Sequence, residues 1–205
     1  MKKLIMKKQV VVIHGGDTFE SYEEYLNFLC NYEIDIERYK SGKTDWKPWL
    51  RQKLGSDYEV ILPVLPNRTN AQFSEWKIWF EKFLPFLNDG VILIGHSLGG
   101  AFLVKYLSEN YFSKKIKAVF LVSAVYNKDS EGYPVLSFSL PKKLTLQTEN
   151  TMIYHSIDDP VVPFSALEQY KKALPYAHTR IFNNRGHFNQ EEFPELVEDI
   201  LNLDN

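Results

Sequence analysis

The stretch Val91-Ile92-Leu93-Ile94-Gly95-His96-Ser97-Leu98-Gly99-Gly100 decides how the rest of the chain reads. Its first four residues are apolar and mostly β-branched, which predicts a buried strand. They run into Gly95-His96-Ser97-Leu98-Gly99, a GxSxG pentapeptide, and Ala101, Val104 and Leu107 then recur at helical spacing. In a strand–turn–helix setting this pattern holds a serine on strained backbone, and the residues two before and two after it must be small. With Gly and Ser near 7% each, chance gives about 0.07 such matches in 200 positions. Pattern and context together favour a nucleophilic serine over a glycine-rich structural turn. The helix that opens there directs N–H groups and its positive dipole end at Ser97.

On either side, short apolar runs alternate with helical patterns. Val10 to Ile13, Tyr58 to Leu62, Ala118 to Val122, Met152-Ile153-Tyr154 and Arg180-Ile181-Phe182 read as further strands. Continuous rather than alternating apolar character suits strands buried on both faces of a parallel sheet. Phe73, Trp76, Phe80, Phe83 and Leu87 predict a helix capped by Asn70, and Leu167, Tyr170 and Leu174 predict another after Ser165. Phe193, Leu196, Val197, Ile200 and Leu201 form the apolar stripe of a last helix, with Asn189 and Glu192 in a capping-box pattern. The expectation is a three-layer α/β fold with right-handed crossovers, residues 1–205 forming one domain. Residues 31–45 and 127–150 fit no regular element and read as long active-site loops.

A serine hydroxyl needs a base, and histidine is the usual one. Of His14, His96, His155, His178 and His187, the last lies in a loop between the final strand and final helix. Loops after parallel strands gather at the carboxyl edge of the sheet, where Ser97 also lies, so His187 is the candidate base. Asp158-Asp159-Pro160 follows the fifth strand at the same edge. The order Ser…Asp…His fits this elbow, but spacing leaves Asp158 and Asp159 both open as the carboxylate that orients the imidazole. Two backbone N–H groups should face the oxyanion. These are Leu98, directly after Ser97, and Gly16 in His14-Gly15-Gly16-Asp17, with Gly15 or Asp17 as neighbours.

Composition narrows the classes. The 24 Lys+Arg against 26 Asp+Glu give a net charge of −2, which disfavours a nucleic-acid partner. Cys30 is the single cysteine, so an internal disulfide and multi-cysteine zinc sites are excluded. No apolar run reaches membrane-span length, and Lys7, Lys8 and Gln9 interrupt the signal-like start, so a cytoplasmic protein is expected. GxxxxGK[ST], GxGxxG and HExxH are all missing, so no cofactor and no metal are expected. Trp46/Trp49 and Trp76/Trp79 at i, i+3 read as core or lid packing, while Tyr126, Tyr133 and Phe138 are candidates either to line an acyl pocket or to shield it from solvent.

These motifs resemble the α/β-hydrolase-fold serine hydrolases, in particular the small cap-less hydrolases related to retinoblastoma-binding protein 9. The resemblance rests on Gly15-Gly16, Leu65-Pro66-Asn67 ahead of Trp76, Ile94-Gly95-His96-Ser97, Leu121-Val122-Ser123-Ala124, Asp158-Asp159-Pro160 and Gly186-His187-Phe188. It implies a mostly parallel sheet of about six strands in order 2-1-3-4-5-6, no large cap domain and no cofactor. It also implies a triad of Ser97, Asp159 and His187, taking the second aspartate as the acid. The region 17–55 is longer than in a minimal member. The expected function is hydrolysis of small acyl substrates, carboxylic esters first, through an acyl-enzyme. Thioester or amide cleavage on the same triad, or a protein-binding module on a hydrolase scaffold, are the alternatives. The expected partner is a small acyl substrate, and the sequence offers no support for a protein partner.

Overall fold

The computed structural model describes residues 7–126 and 136–203. Six strands form one sheet: β1 (Lys8–Ile13), β2 (Tyr58–Ile61), β3 (Val91–His96), β4 (Ile116–Val122), β5 (Thr151–Ser156) and β6 (His178–Phe182). Their order is β2-β1-β3-β4-β5-β6, and every pairing is parallel. The helices are α1 (Tyr22–Asn31), α2 (Ile36–Ser41), α3 (Trp46–Lys53), α4 (Phe73–Glu81), α5 (Leu98–Glu109), α6 (Ser165–Ala173) and α7 (Pro194–Asn202). Between β4 and β5 the described residues hold only a single 3-10 turn, Leu136–Phe138, and no cap domain is indicated.

Successive strand residues point to opposite faces, so each strand feeds two cores. Val11, Ile13, Leu93, Val119, Leu121 and Ile153 pack under α4, α5 and α6, around Trp76, Phe80 and Phe102. Val10, Val12, Ile92, Ile94, Phe120 and Tyr154 pack on the other face against Trp46 and Leu50 of α3 and Leu196 and Ile200 of α7. The central strand β3 is buried along its whole length. This is the three-layer arrangement that the apolar runs predict. The first helix stands apart, with none of its residues buried.

Several element ends differ from expectation for local reasons. Helix α4 starts at Phe73 rather than after Asn70, whose N–H closes a turn onto the Asn67 carbonyl. The first N–H of α4 donates instead to Ser137 Oγ, 64 residues away, a cap invisible to local pattern. The predicted repeat through Phe83 and Leu87 breaks at Glu81 and tightens into a 3-10 turn at Leu84–Phe86, which contains Pro85. Asn189 and Glu192 form no capping box: α7 begins at Pro194, whose missing N–H suits the first helical position. Residues 31–45 are not an irregular loop throughout, since they contain α2 and the Asp45 cap of α3.

The turn between β3 and α5 is the tightest place in the molecule. A Cβ on Gly95 would lie 2.6 Å from Gly100 Cα and from the Gly99 carbonyl oxygen. One on Gly99 would lie 2.4 Å from the His14 carbonyl oxygen, and one on Gly100 would lie 2.4 Å from Ala124 Cβ. At Gly95 and Gly99 the obstacles are backbone, which has nowhere to go. Gly99→Ala is therefore expected to lower the unfolding free energy by about 1–3 kcal/mol or more, read from urea denaturation. An unchanged midpoint would show that β1 and the elbow are less closely packed than described.

Candidate active site

Ser97 stands between β3 and α5 with φ 56° and ψ −124°, a conformation that non-glycine residues rarely adopt. Hydrogen bonds on both sides hold it there. Its N–H donates to the Val122 carbonyl (2.9 Å), and its own carbonyl accepts from Gly100 (2.9 Å) and Val125 (3.2 Å). The turn projects Ser97 toward the loop after β1. A Cβ on Gly15 would come within 3.4 Å of Ser97 Oγ, so a glycine there leaves the hydroxyl room.

That loop is tied down by the segment after β2. The His14 ring accepts from the Leu65 N–H at Nε2 (2.9 Å), which leaves Nδ1–H to donate to the Gly15 carbonyl (2.6 Å). Trp76 Nε1 donates to the Pro66 carbonyl (2.9 Å), and its ring meets His14 edge-on. The Asp17 N–H donates to the Arg68 carbonyl (2.8 Å), which removes Asp17 as an oxyanion donor. A Cβ on Gly16 would lie 2.5 Å from that same Arg68 oxygen, so the loop closes only with glycine at this position. Leu98 is the first residue of α5, where an N–H has no intrahelical acceptor.

His187 lies between β6 and α7, next to Gly186 (φ 50°) and Phe188 (φ 52°). Its Nδ1 donates to Asp159, at 2.9 Å from Oδ2 and 3.1 Å from Oδ1, and the Asp159 side chain is fully buried. Asp159 Oδ1 also accepts from the N–H groups of Val161 (2.8 Å) and Val162 (3.0 Å). Burial pushes this carboxyl up, but the His187 hydrogen bond and charge, with the two N–H groups, hold it net below its ordinary value. The adjacent Asp158 is exposed and turns the other way. It accepts from Ser156 Oγ (2.5 Å) and from the Gly186 N–H (2.9 Å), so it fixes the loop backbone rather than the imidazole. Nδ1 being engaged, His187 presents Nε2 as the available acceptor. Among the described residues no hydrogen bond joins Nε2 to Ser97 Oγ, a contact that is often loose before substrate binds.

The other histidines have different places. His155 donates from Nε2 to the Val162 carbonyl (3.1 Å) and sits in the core, and His178 is exposed at the start of β6. His96 is buried inside the elbow, with Lys47 and the His187 carbonyl as partners. Phe138 is no pocket wall: it is fully buried, edge-on to Phe73 and Trp76. Tyr126 packs against Tyr170, and Tyr133 lies outside the described residues. Trp46 and Trp76 are fully buried, as core packing predicts, whereas Trp79 is exposed. Two open surface clefts of about 510 and 550 Å³ run beside α2 and residues 189–192, and neither is lined by Ser97, Asp159 or His187. No group of three or more potential metal ligands occurs among the described residues. No described helix is long and apolar enough to cross a membrane.

Burial lowers the proton affinity of three histidines in this frame. His14 and His155 are held below the ordinary imidazole value, and His96 well below it, with Lys47 adding to the effect at His96. Unfolding releases them to ordinary imidazoles near pH 6.5, so the unfolded chain binds protons that the folded chain refuses. Stability is therefore fully present above about pH 6.5 and falls as pH drops below it. Melting temperatures should hold between about pH 7.5 and 6.5 and fall from there to about pH 5, whereas a constant value throughout would contradict the neutral, buried state of these rings.

Comparison with known proteins bears on the family and the fold. The sequence model of the family described as "Serine hydrolase" matches residues 38–201, a span that includes Ser97, Asp159 and His187. The protein named "Putative hydrolase YdeN" of Bacillus subtilis (strain 168) is 24% identical over 210 residues, covering 96% of this chain and 95% of its own. Serine hydrolase RBBP9 of Rattus norvegicus is 27% identical over 169 residues, covering 77% of this chain and 86% of its own. The crystal structure of the B. subtilis ydeN gene product superposes with a TM-score of 0.71 at 18% identity, over 97% of this chain and 99% of that one, a likeness of fold. With four-fifths of its length matched by the family model, on the sheet order and elbow described above, the chain belongs to the serine hydrolase family and has the α/β-hydrolase fold.

Proposed function

We propose that the protein hydrolyses small acyl substrates, carboxylic esters first, through a Ser97–His187–Asp159 triad in a single domain spanning 1–205. The observation that carries this reading is a positive-φ serine after β3 and, at the same edge of the all-parallel sheet, a histidine after β6 whose Nδ1 is held by a buried carboxylate. Asp159 fixes the tautomer that leaves Nε2 as a proton acceptor, the role such a carboxylate plays beside a general base. In the proposed reaction Ser97 Oγ attacks the acyl carbonyl as His187 Nε2 takes its proton. The oxyanion forms against the N–H groups of Leu98 and Gly16, and the imidazolium then protonates the departing alcohol. Water, deprotonated by the same imidazole, attacks the acyl-enzyme, and collapse of the second tetrahedral intermediate returns the serine with its proton.

Esters are favoured because they need the least help with the leaving group, and no cap domain is indicated among the described residues, which suits small or flexible acyl chains. The serine hydrolase designation of the rat relative supports the reaction type. A cytoplasmic site of action belongs to the same proposal, since the lone Cys30 is exposed and unpaired.

Short p-nitrophenyl esters, from acetate to octanoate, test the reading. Ser97→Ala should lower kcat/KM by about a thousandfold or more, and Asp159→Asn by a comparable factor through loss of the correct tautomer. Asp158→Ala should stay within about tenfold of wild type, because that carboxylate touches backbone rather than the imidazole. Equal activity in wild type and Ser97→Ala would overturn the reading.

A further inference from the structure

The backbone of the His187 loop is held from beneath by three consecutive residues of the long 17–55 region. Trp46 Nε1 donates to the Phe188 carbonyl (3.0 Å). Lys47 Nζ lies 3.1 Å from His96 Nδ1, and His96 Nε2 lies 2.9 Å from the His187 carbonyl. Asp45 caps α3 by accepting from the Lys47 N–H (3.1 Å), and its second oxygen holds Lys47 Nζ at 2.5 Å. Lys47 and His96 are both buried, at 8% and 4% exposure, so neither is a solvated surface group resting on the loop.

Donor and acceptor roles along this chain have one solution. A carbonyl oxygen only accepts, so His96 must carry its proton on Nε2. Nδ1 is then a lone-pair acceptor, and the group facing it is the Lys47 ammonium, ion-paired to Asp45, which can only donate. A proton on Nδ1 would face the Lys47 ammonium at contact distance with no room for water between them. Lys47 therefore excludes both the other tautomer and the doubly protonated ring. His96 is also the residue before Ser97, and its ring centroid lies 4.9 Å from that of His187. One buried ring thus joins the nucleophile's turn to the main chain of the base.

We propose that Lys47 is a positioning residue: by holding His96 as the Nε2–H tautomer it locks the His187 carbonyl, while Asp159 locks the His187 imidazole. This inference rests on the triad proposed above. The two restraints act on opposite sides of one residue, so together they leave His187 little freedom to rotate away from Ser97. Lys47 itself touches no reacting atom.

The test combines kinetics with a readout of the ring. Lys47→Met keeps the length of the side chain and removes the donor, and His96→Phe keeps a ring and removes both bonds. Each should lower kcat for p-nitrophenyl acetate by about 10–100-fold, the scale of a misplaced catalytic group, with KM changed less than about twofold. The double variant should lose no more than His96→Phe alone, because Lys47 acts through His96. Melting temperatures measured alongside separate lost stability from lost positioning. In the wild-type protein, ring 15N spectra should show His96 with its proton on Nε2, a measurement that stands even where a variant fails to fold. Full kcat in Lys47→Met, losses that multiply in the double variant, or an Nδ1–H tautomer would each overturn the inference. Retained hydrolysis in Ser97→Ala would instead overturn the triad, so the two failures are distinguishable.

Discussion

Everything at the candidate site depends on one backbone conformation. A residue with a side chain at φ 56° costs of the order of 1–3 kcal/mol, and it persists only where its surroundings over-determine it. Here they do so twice. The Ser97 amide and carbonyl are bonded to three residues from β4, α5 and the chain after β4. Gly95, Gly99 and Gly100 also let β3, α5, β1 and Ala124 meet at distances no Cβ would permit. The parallel sheet supplies the rigid edge on which this turn can be built, because β3 is buried between two cores. The layers of the fold and the strained backbone angle of the serine are consequences of the same close packing.

Around this fixed turn, two loops are brought in from different parts of the chain and tied in place by polar contacts. The Gly15-Gly16 loop is held through His14, Trp76 and the backbone of residues 65–71. The His187 loop is held through Asp159 and Asp158 after β5, and through Trp46 and His96 from the opposite face. The two adjacent aspartates divide the task, one taking the imidazole and the other the Gly186 amide. Loops built this way can be mobile in sequence space while their functional atoms stay in register, since all but the Asp159 tie are to backbone groups.

Much of this was legible in the residues. GxSxG after Val91–Ile94 is a local signature because the strand–turn–helix it builds is local, although Gly99 answers to the distant His14 carbonyl and Gly100 to Ala124. The strands were legible because burial on both faces demands continuous apolar runs. Asp159 could be chosen only by family resemblance, since Asp158 and Asp159 differ in direction rather than in type. The ties of the loops were not legible, because each joins residues far apart in sequence. Ser137 on the first amide of α4 and Lys47 on His96 have no spacing that announces them. Residues 31–45 read as irregular because α2 is a single short, exposed helix with too few apolar positions to set a period.

The central claim is that Ser97 is an activated nucleophile and not merely a serine on a tight turn. Incubating the protein with a fluorophosphonate and mapping the adduct by peptide mass spectrometry tests this without presuming a substrate. The account predicts one stoichiometric adduct on the peptide containing Ser97, formed rapidly in the wild type and at least about a hundredfold more slowly in His187→Ala. An unlabelled protein, or labelling of Ser97 at the same rate without His187, would contradict it.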